Sequence, residues 1–384
     1  MIRIGIVGAG AIAAVHIDGF LQFGSVCEVA AVCDTYVDKA QSLITEKNLN
    51  AKAYADIQTM LTEGALDAIS ICLPPNLHAS VAIQALAGKK HVIVEKPMAS
   101  SLEECDHMIA AAKENNRLLC VVSQNRWKTQ LANVKRIMDE GLLGKVVHAS
   151  FDSLWWRGGV YYDLWWRGTW EQEAGGVFTS HSVHYLDLMQ MLFGMPKRVQ
   201  AFIGNVNHTN SECEDIGFAV FTYEDKVINF TSSLVSHGEK QAIVINGEKA
   251  SVTIPFSVSA YNSLPNGFPE PNKELEQQIH RRYEELGNLA LEGHPAQLLN
   301  FLLAIEGKEA LALDGNTGRQ TIELIHAVYK SAVQQRPVDL PLEPSDSFYT
   351  KEGLVQSMPR FHTKGRSVEN FSTSKISLGR DFNA

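Results

Sequence analysis

Gly8, Gly10 and Ala13 stand in GIVGAGAIA, residues 5–13, directly after a short apolar run and at the start of a helical pattern. This spacing suits a dinucleotide. The first glycine permits a tight turn, the second lets backbone N–H groups approach a pyrophosphate, and a small third residue lets helix and strand pack closely. Ala11 and Ile12, within the loop, are expected at the same phosphates. Asp34 follows 26 residues after Gly8, at the end of the next apolar run, where an acid bonds the adenosine ribose hydroxyls. A carboxylate there repels a 2′-phosphate, and Thr35-Tyr36 offers no arginine to receive one, so NAD is expected over NADP. Asp34 also suits a helix N-cap.

A second signal is aromatic. LWWRG occurs twice between Leu154 and Gly168, ten positions apart, and five of the six tryptophans fall between Trp155 and Trp170. Indole faces stack on the apolar face of a pyranose while arginine donors read hydroxyls, carboxylate or phosphate. The same residue types are enriched at interfaces between domains or subunits. His181, His184 and Asp187 stand at i, i+3 and i+6, but zinc sites on helices use i, i+4 histidine pairs with further support, so no metal is expected.

The elements that must position these groups change character along the chain. Residues 3–8, 28–34, 67–74, 90–97 and 117–123 read as buried strands separated by amphipathic helical stretches, which predicts an α/β fold with a doubly wound parallel sheet. After about Ser123, residues 145–156, 198–207, 216–236 and 241–254 read as strands joined by turn signals such as YEDK and NGEK, a mostly antiparallel sheet. Helical patterns flank them at 171–193, 287–307 and 314–335. The partition is 1–123, 124–342 and 343–384, the last an irregular arm or tail.

Composition narrows the classes. At 384 residues the chain exceeds what one core of roughly 250–300 residues holds. A formal charge of −9 argues against nucleic acid. Six cysteines without CxxC spacing read as buried thiols, hence a cytoplasmic setting. The apolar N-terminus opens as a strand and has no basic n-region, and no run of about 18 apolar residues predicts a membrane span.

ICLPPNLH at 71–78, HVIVEKPMA at 91–99, QNRW at 124–127, GLLGKV at 141–146 and GGVFTSHSVHYLDLMQMLFG at 175–194 together resemble the Gfo/Idh/MocA oxidoreductases, in order from residue 2 to about 342. The resemblance implies an N-terminal Rossmann domain and a C-terminal α/β domain with a large open sheet through which a homodimer or homotetramer forms. It also implies hydride transfer between nicotinamide and a hydroxyl-bearing carbon of a sugar, cyclitol or nucleotide sugar. The family's catalytic lysine and histidine map onto Lys96 and His184. An imidazole takes a hydroxyl proton near neutral pH, and an ammonium favours alkoxide-like charge. Family members place Asp four residues before that histidine; here it is Ser180, and neighbouring His181 is expected to supply a polar contact. Leu73, Pro74, Asn76, His78, Glu95, Lys96 and Gln124 are expected along the cofactor. Arg126, Trp166, Arg167, Ser180, His181, His184 and Lys96 are expected at the substrate, with Trp155 and Trp156 in packing. Two alternatives remain open: a glycosidase or lyase that keeps NAD bound and oxidises transiently, and a non-catalytic NAD-binding regulator.

Overall fold

Runs of Ile, Val and Ala with almost no polar interruption build the first sheet of the computed structural model, which describes residues 1–371. The elements are β1 (Ile2–Val7), α1 (Ala11–Leu21), β2 (Cys27–Cys33), α2 (Val37–Glu46), β3 (Lys52–Tyr54), α3 (Ile57–Glu63), β4 (Ala68–Ile71), α4 (His78–Ala87), β5 (His91–Val94), α5 (Leu102–Asn115) and β6 (Leu119–Val121). All neighbours pair in parallel in the order β3-β2-β1-β4-β5-β6, with the reversal of winding between β1 and β4. Such a switch point opens a crevice at the carboxyl ends of the strands, where Gly8, Asp34 and Lys96 all lie. The short β3 escaped the sequence reading because Lys52–Tyr54 is three residues long and only Tyr54 is buried.

The second half begins with α6 (Thr129–Asp139) and β7 (Val146–Leu154), then α7 (Trp170–Glu173), α8 (Val177–Ser180) and α9 (Val183–Phe193). Strands β8 (Arg198–Gly204), β9 (Ile216–Thr222), β10 (Val227–Ser233), β11 (Gln241–Gly247), β12 (Ala250–Ile254), β13 (Ser257–Ser263) and β14 (Pro269–Pro271) follow, then α10 (Lys273–Leu286), α11 (Gly293–Ile305), α12 (Gly315–Gln334), β15 (Val338–Asp339) and α13 (Lys351–Ser357). The nine strands run β14-β13-β12-β11-β7-β10-β9-β8-β15, antiparallel except for the β7–β10 pair. Alternation decides which face is covered: Phe151, Phe221 and Phe230 point inward, Phe151 stacking on Phe230 at 5.9 Å.

Three expectations are corrected. The helical stretch predicted over 171–193 is three helices, broken where Ala174 and Gly175 take positive φ and again at His181-Ser182. The α11 segment does not stay with the second sheet, since Leu298, Phe301 and Leu302 pack with Phe20 of α1 in the core of the first. The predicted arm is structured: Phe348 and Tyr349 are buried, α13 is a helix, and Leu164 and Val368 form a parallel bridge. The remainder of that stretch lies outside the described residues.

Candidate active site

Glycine chemistry shapes the phosphate end. Gly8 has φ +94°, and a Cβ there would lie 2.4 Å from the Cys72 carbonyl oxygen, so only glycine lets β1 turn this close to the end of β4. At Gly10, by contrast, a Cβ would meet nothing within 4 Å. Gly10 caps α1 without a side-chain hydrogen bond, and no acid occupies the first turn, so the helix's leading N–H groups are left to an anion such as a pyrophosphate. Ala11 and Ile12 form that first turn, half-buried. Asp34 does not cap α2. Its Oδ2 accepts from Ala9 N at 2.8 Å and its Oδ1 from Tyr36 N at 2.9 Å, which fixes the carboxylate beside the glycine loop.

The loop after β4 is pinned from behind. His78 is fully buried, with Nδ1 2.7 Å from Pro97 O and Nε2 2.8 Å from Leu73 O, so its ring clamps the loop to the segment after Lys96. Both ring nitrogens face backbone carbonyls, and the neutral imidazole, with one N–H, donates to one of them, so His78 shapes the cofactor loop from behind. Leu73 and Pro74 remain half-exposed on that loop. Asn76 caps nothing: its Nδ2 reaches Gln172 Oε1 on α7 at 2.7 Å, tying the two halves together.

Lys96 follows β5 and reaches across the cleft, Nζ donating to Ser180 O at 3.0 Å. Burial lowers the Lys96 pKa, Glu95 works against that, and Arg167 adds to the lowering. His184, on α9, is held well below the usual imidazole range by burial first and by Lys96 second. Its Nδ1 is buried with no hydrogen-bond partner, as are Asn76 Oδ1 and Gln124 Oε1 on the loops after β4 and β6. Buried polar atoms are rarely left so, and these three, on α9 and on the loops after β4 and β6, fit a site completed by ligand.

His181 is also buried, Nδ1 2.8 Å from Ser180 Oγ, its ring between Trp155 at 5.5 Å and Tyr161 at 5.9 Å. Burial lowers its pKa well below the usual value, and Arg157, Lys96 and Arg167 push the same way. The two arginines come from the two LWWRG copies. Arg167 lies 4.0 Å over the Tyr161 ring and 4.1 Å over Trp166, and Arg157 approaches Tyr161 at 5.8 Å. Glu173 holds the second copy, accepting from Arg167 Nη1 at 2.8 Å and Gly168 N at 2.7 Å. Arg157 is paired with Glu239 at 2.9 Å. Trp166 is half-buried and Trp155 buried, but Trp156 is 39% exposed against His237, which corrects its expected packing role.

Arg126 is held in place by a carboxylate. Its Nε and Nη2 make a forked pair with Asp187 at 2.7 and 2.6 Å, and Ser123 Oγ donates to the same carboxylate. That pairing also takes Asp187 away from His181 and His184. Among the described residues a different group has ligand-like spacing: His16 on α1, Glu95 after β5 and His294 on α11, their ligand atoms within 4.8 Å. His16 Nε2 lies 3.0 Å from Glu95 Oε1 and its Nδ1 2.7 Å from Ser70 Oγ. Burial opposes charge on His16, but Cys72 and Glu95 push its pKa up to about 10, the signature of an internal ion pair. Glu95 also accepts from Lys96 N at 3.1 Å, so the group anchors the lysine's backbone.

Sequence reasoning missed Arg157, Tyr161, Glu173, His16 and His294. For Arg157 the signal was present, because it is the arginine of the first LWWRG.

The family model described as "Oxidoreductase family, NAD-binding Rossmann fold" (GFO_IDH_MocA) matches residues 2–123, and its companion "Oxidoreductase family, C-terminal alpha/beta domain" matches 135–340. D-glucoside 3-dehydrogenase of Escherichia coli (strain K12) is 26% identical over 363 residues, 88% of this chain and 97% of the relative. The crystal structure of the WlbA dehydrogenase from Bordetella pertussis in complex with NADH and UDP-GlcNAcA is 28% identical, covers 89% of this chain and 98% of its own, and superposes with a TM-score of 0.77. Levoglucosan dehydrogenase, in complex with NADH and levoglucosan, shares the fold with a TM-score of 0.76 at 18% identity. This chain belongs to the Gfo/Idh/MocA oxidoreductase family, and it is an NAD-dependent dehydrogenase.

Proposed function

We propose that this chain oxidises one secondary hydroxyl of a sugar, cyclitol or nucleotide sugar, with Lys96 and His184 as the catalytic pair. The carrying observation is the pairing of Lys96 Nζ, which reaches into the cleft, with a buried His184 whose Nδ1 lacks a partner. Bound NAD supplies the hydride acceptor. The protein's share is positioning and proton transfer. A neutral His184 accepts the hydroxyl proton, and Lys96 donates a hydrogen bond to the same oxygen, steadying the charge that develops as the carbon-bound hydrogen leaves. Gly8, Gly10, Ala11 and Ile12 would hold the pyrophosphate, Asp34 the adenosine ribose, and Leu73, Pro74, Asn76 and Gln124 the loops along the dinucleotide. Arg157 and Arg167, gathered on Tyr161 beside His181, and Trp166 under Arg167 would read the substrate ring and its polar groups. The likeness to an enzyme solved with UDP-GlcNAcA supports a substrate with anionic groups at this end.

The test is a panel of sugars, cyclitols and nucleotide sugars with NAD and the purified protein. Growth of absorbance at 340 nm supports net oxidation, whereas turnover without it indicates chemistry on retained NAD. A panel that yields neither sinks the catalytic reading. For the cofactor, Asp34→Ala is expected to loosen NAD and to narrow its advantage over NADP by about tenfold, measured by calorimetry. An unchanged ratio removes Asp34 from discrimination.

The exposed face of the large sheet is the proposed homo-oligomer contact. Phe202 and Phe218 sit opposite each other in register, with Val220 and Val227 on the same face, and Phe202 is 60% exposed. A contiguous apolar face of this kind marks association. Sedimentation should show a dimer or tetramer that Phe218→Lys disperses; a wild-type monomer would refute the contact. Among the described residues no helix is long and apolar enough to cross a membrane. All six cysteines are free and buried, which supports the cytoplasmic reading.

A further inference from the structure

The family models end at residue 340, yet the described chain continues to the cofactor end of the cleft. After α13 the chain runs beneath the second LWWRG loop. Trp170 Nε1 donates to Pro359 O at 2.9 Å, and Lys364 Nζ donates to Arg167 O at 3.0 Å. Asn210 Oδ1 then accepts from Gly365 N at 2.8 Å and Arg366 N at 2.9 Å, which fixes the direction of travel. Val368 adds a strand-like pair, with Val368 N donating to Asp163 O at 2.7 Å and Trp165 N to Val368 O at 2.9 Å.

One residue further the arm meets the other half of the molecule. Tyr36 OH donates to Glu369 Oε2 at 2.8 Å, and Lys39 Nζ to Asn370 Oδ1 at 2.7 Å. Tyr36 is the residue whose backbone N–H holds Asp34 Oδ1. The arm therefore ties the tryptophan-rich loop to the start of α2 and sets a second carboxylate, Glu369, on the far side of the Tyr36 ring from its backbone contact with Asp34.

We propose that the C-terminal arm is a cofactor strap, with Glu369 on Tyr36 both retaining NAD and adding to its selection over NADP. The inference rests on Asp34 marking the adenosine ribose. Two carboxylates flanking Tyr36 raise the electrostatic cost of a 2′-phosphate beyond what Asp34 alone imposes. The arm also occupies Lys39, the nearby cation that a phosphate would otherwise recruit; its ammonium lies 4.6 Å over the Tyr36 ring and on Asn370. Because the strap bridges the cleft at this end, the adenosine portion leaves only after the Tyr36 and Lys39 contacts open.

The test compares the intact protein with a chain truncated after Val368, which keeps the Asn210 and Lys364 anchors and the Val368 pairing with Asp163 and Trp165, and with Glu369→Lys. Stopped-flow fluorescence reads NADH release, and calorimetry reads NAD and NADP affinity. Loss of two exposed contacts should speed NADH release about tenfold in the truncated chain. Glu369→Lys should narrow the NAD preference by about tenfold. Melting temperatures close to wild type for both variants tie these changes to the strap. Release within about twofold of wild type, with an unchanged NAD to NADP ratio in both variants, overturns the proposal. Asp34→Ala separates the two readings: if it loosens NAD while truncation changes nothing, the strap alone fails. If Asp34→Ala also leaves NAD binding intact, the ribose assignment fails with it.

Discussion

Lys96→Ala and His184→Ala should each lower turnover by about 10²–10⁴ while NAD affinity changes by less than about threefold. The asymmetry between chemistry and binding follows from where the two side chains sit. In the proposed reading the phosphate and ribose contacts belong to the glycine loop and to Asp34, whereas Lys96 Nζ lies against Ser180 O and His184 presents an unpartnered Nδ1. The pH profile supplies a second readout. Burial and Lys96 hold the His184 pKa well below 6.5, so the imidazole stays neutral as pH falls through the range where an ordinary histidine protonates. The acid limb of kcat/KM for alcohol oxidation should therefore lie below pH 6.5. Burial also lowers the Lys96 pKa from 10.5, so the alkaline limb, where its ammonium deprotonates, should move down as well. A histidine-like limb at 6.5 that survives in His184→Ala, or near-full turnover in either variant, would remove that residue from the mechanism.

Much of this arrangement was legible because it is local. A buried parallel strand must be a run of apolar residues, and the loop that follows must solve a backbone problem that only glycine solves, as at Gly8. Hence the succession of the five longer buried strands, the phosphate loop and Asp34 can be read by counting. Resemblance carried Lys96 and His184, which lie 88 residues apart and meet only when α9 is laid across the end of β5. What could not be read depends on partners distant in the chain. Arg126 looks open in sequence because Asp187, which takes its fork, stands 61 residues away. His16 and His294 look like ordinary helix residues until α11 folds back onto α1 and brings both to Glu95. The arm was the least legible part, since its pairing with Leu164 and Tyr36 uses backbone and tips of side chains and leaves no periodic pattern.

The repeated LWWRG makes the same point energetically, and it yields the second large expected effect. The two copies match in sequence but face oppositely: in the first, Trp155 is buried and Trp156 exposed, while in the second Trp165 is exposed and Trp166 half-buried on Arg167. The first copy ends a strand, where successive side chains alternate between faces. The second follows a short helical turn and is reversed by Gly168, whose φ is +67° and where a Cβ would lie 2.6 Å from the Tyr162 ring, which excludes a side chain. Position within the motif therefore does not determine the role. Trp155 is covered, with Nε1 donating to Ser153 Oγ at 3.0 Å and His181 against its ring. Trp170, just past the second copy, is fully buried edge-on to Tyr329 at 5.3 Å and bonded to Pro359 O. Trp155→Ala and Trp170→Ala should each cost about 3–5 kcal/mol of folding stability, the range for a large aromatic removed from a packed site. Trp156→Ala, which gives up only a stacked partner in His237, should cost less than about 1 kcal/mol. Denaturant unfolding of the three variants settles the comparison. Equal losses at Trp155 and Trp156 would mean that the copies are interchangeable packing units, and their opposite facing would then carry no energetic consequence.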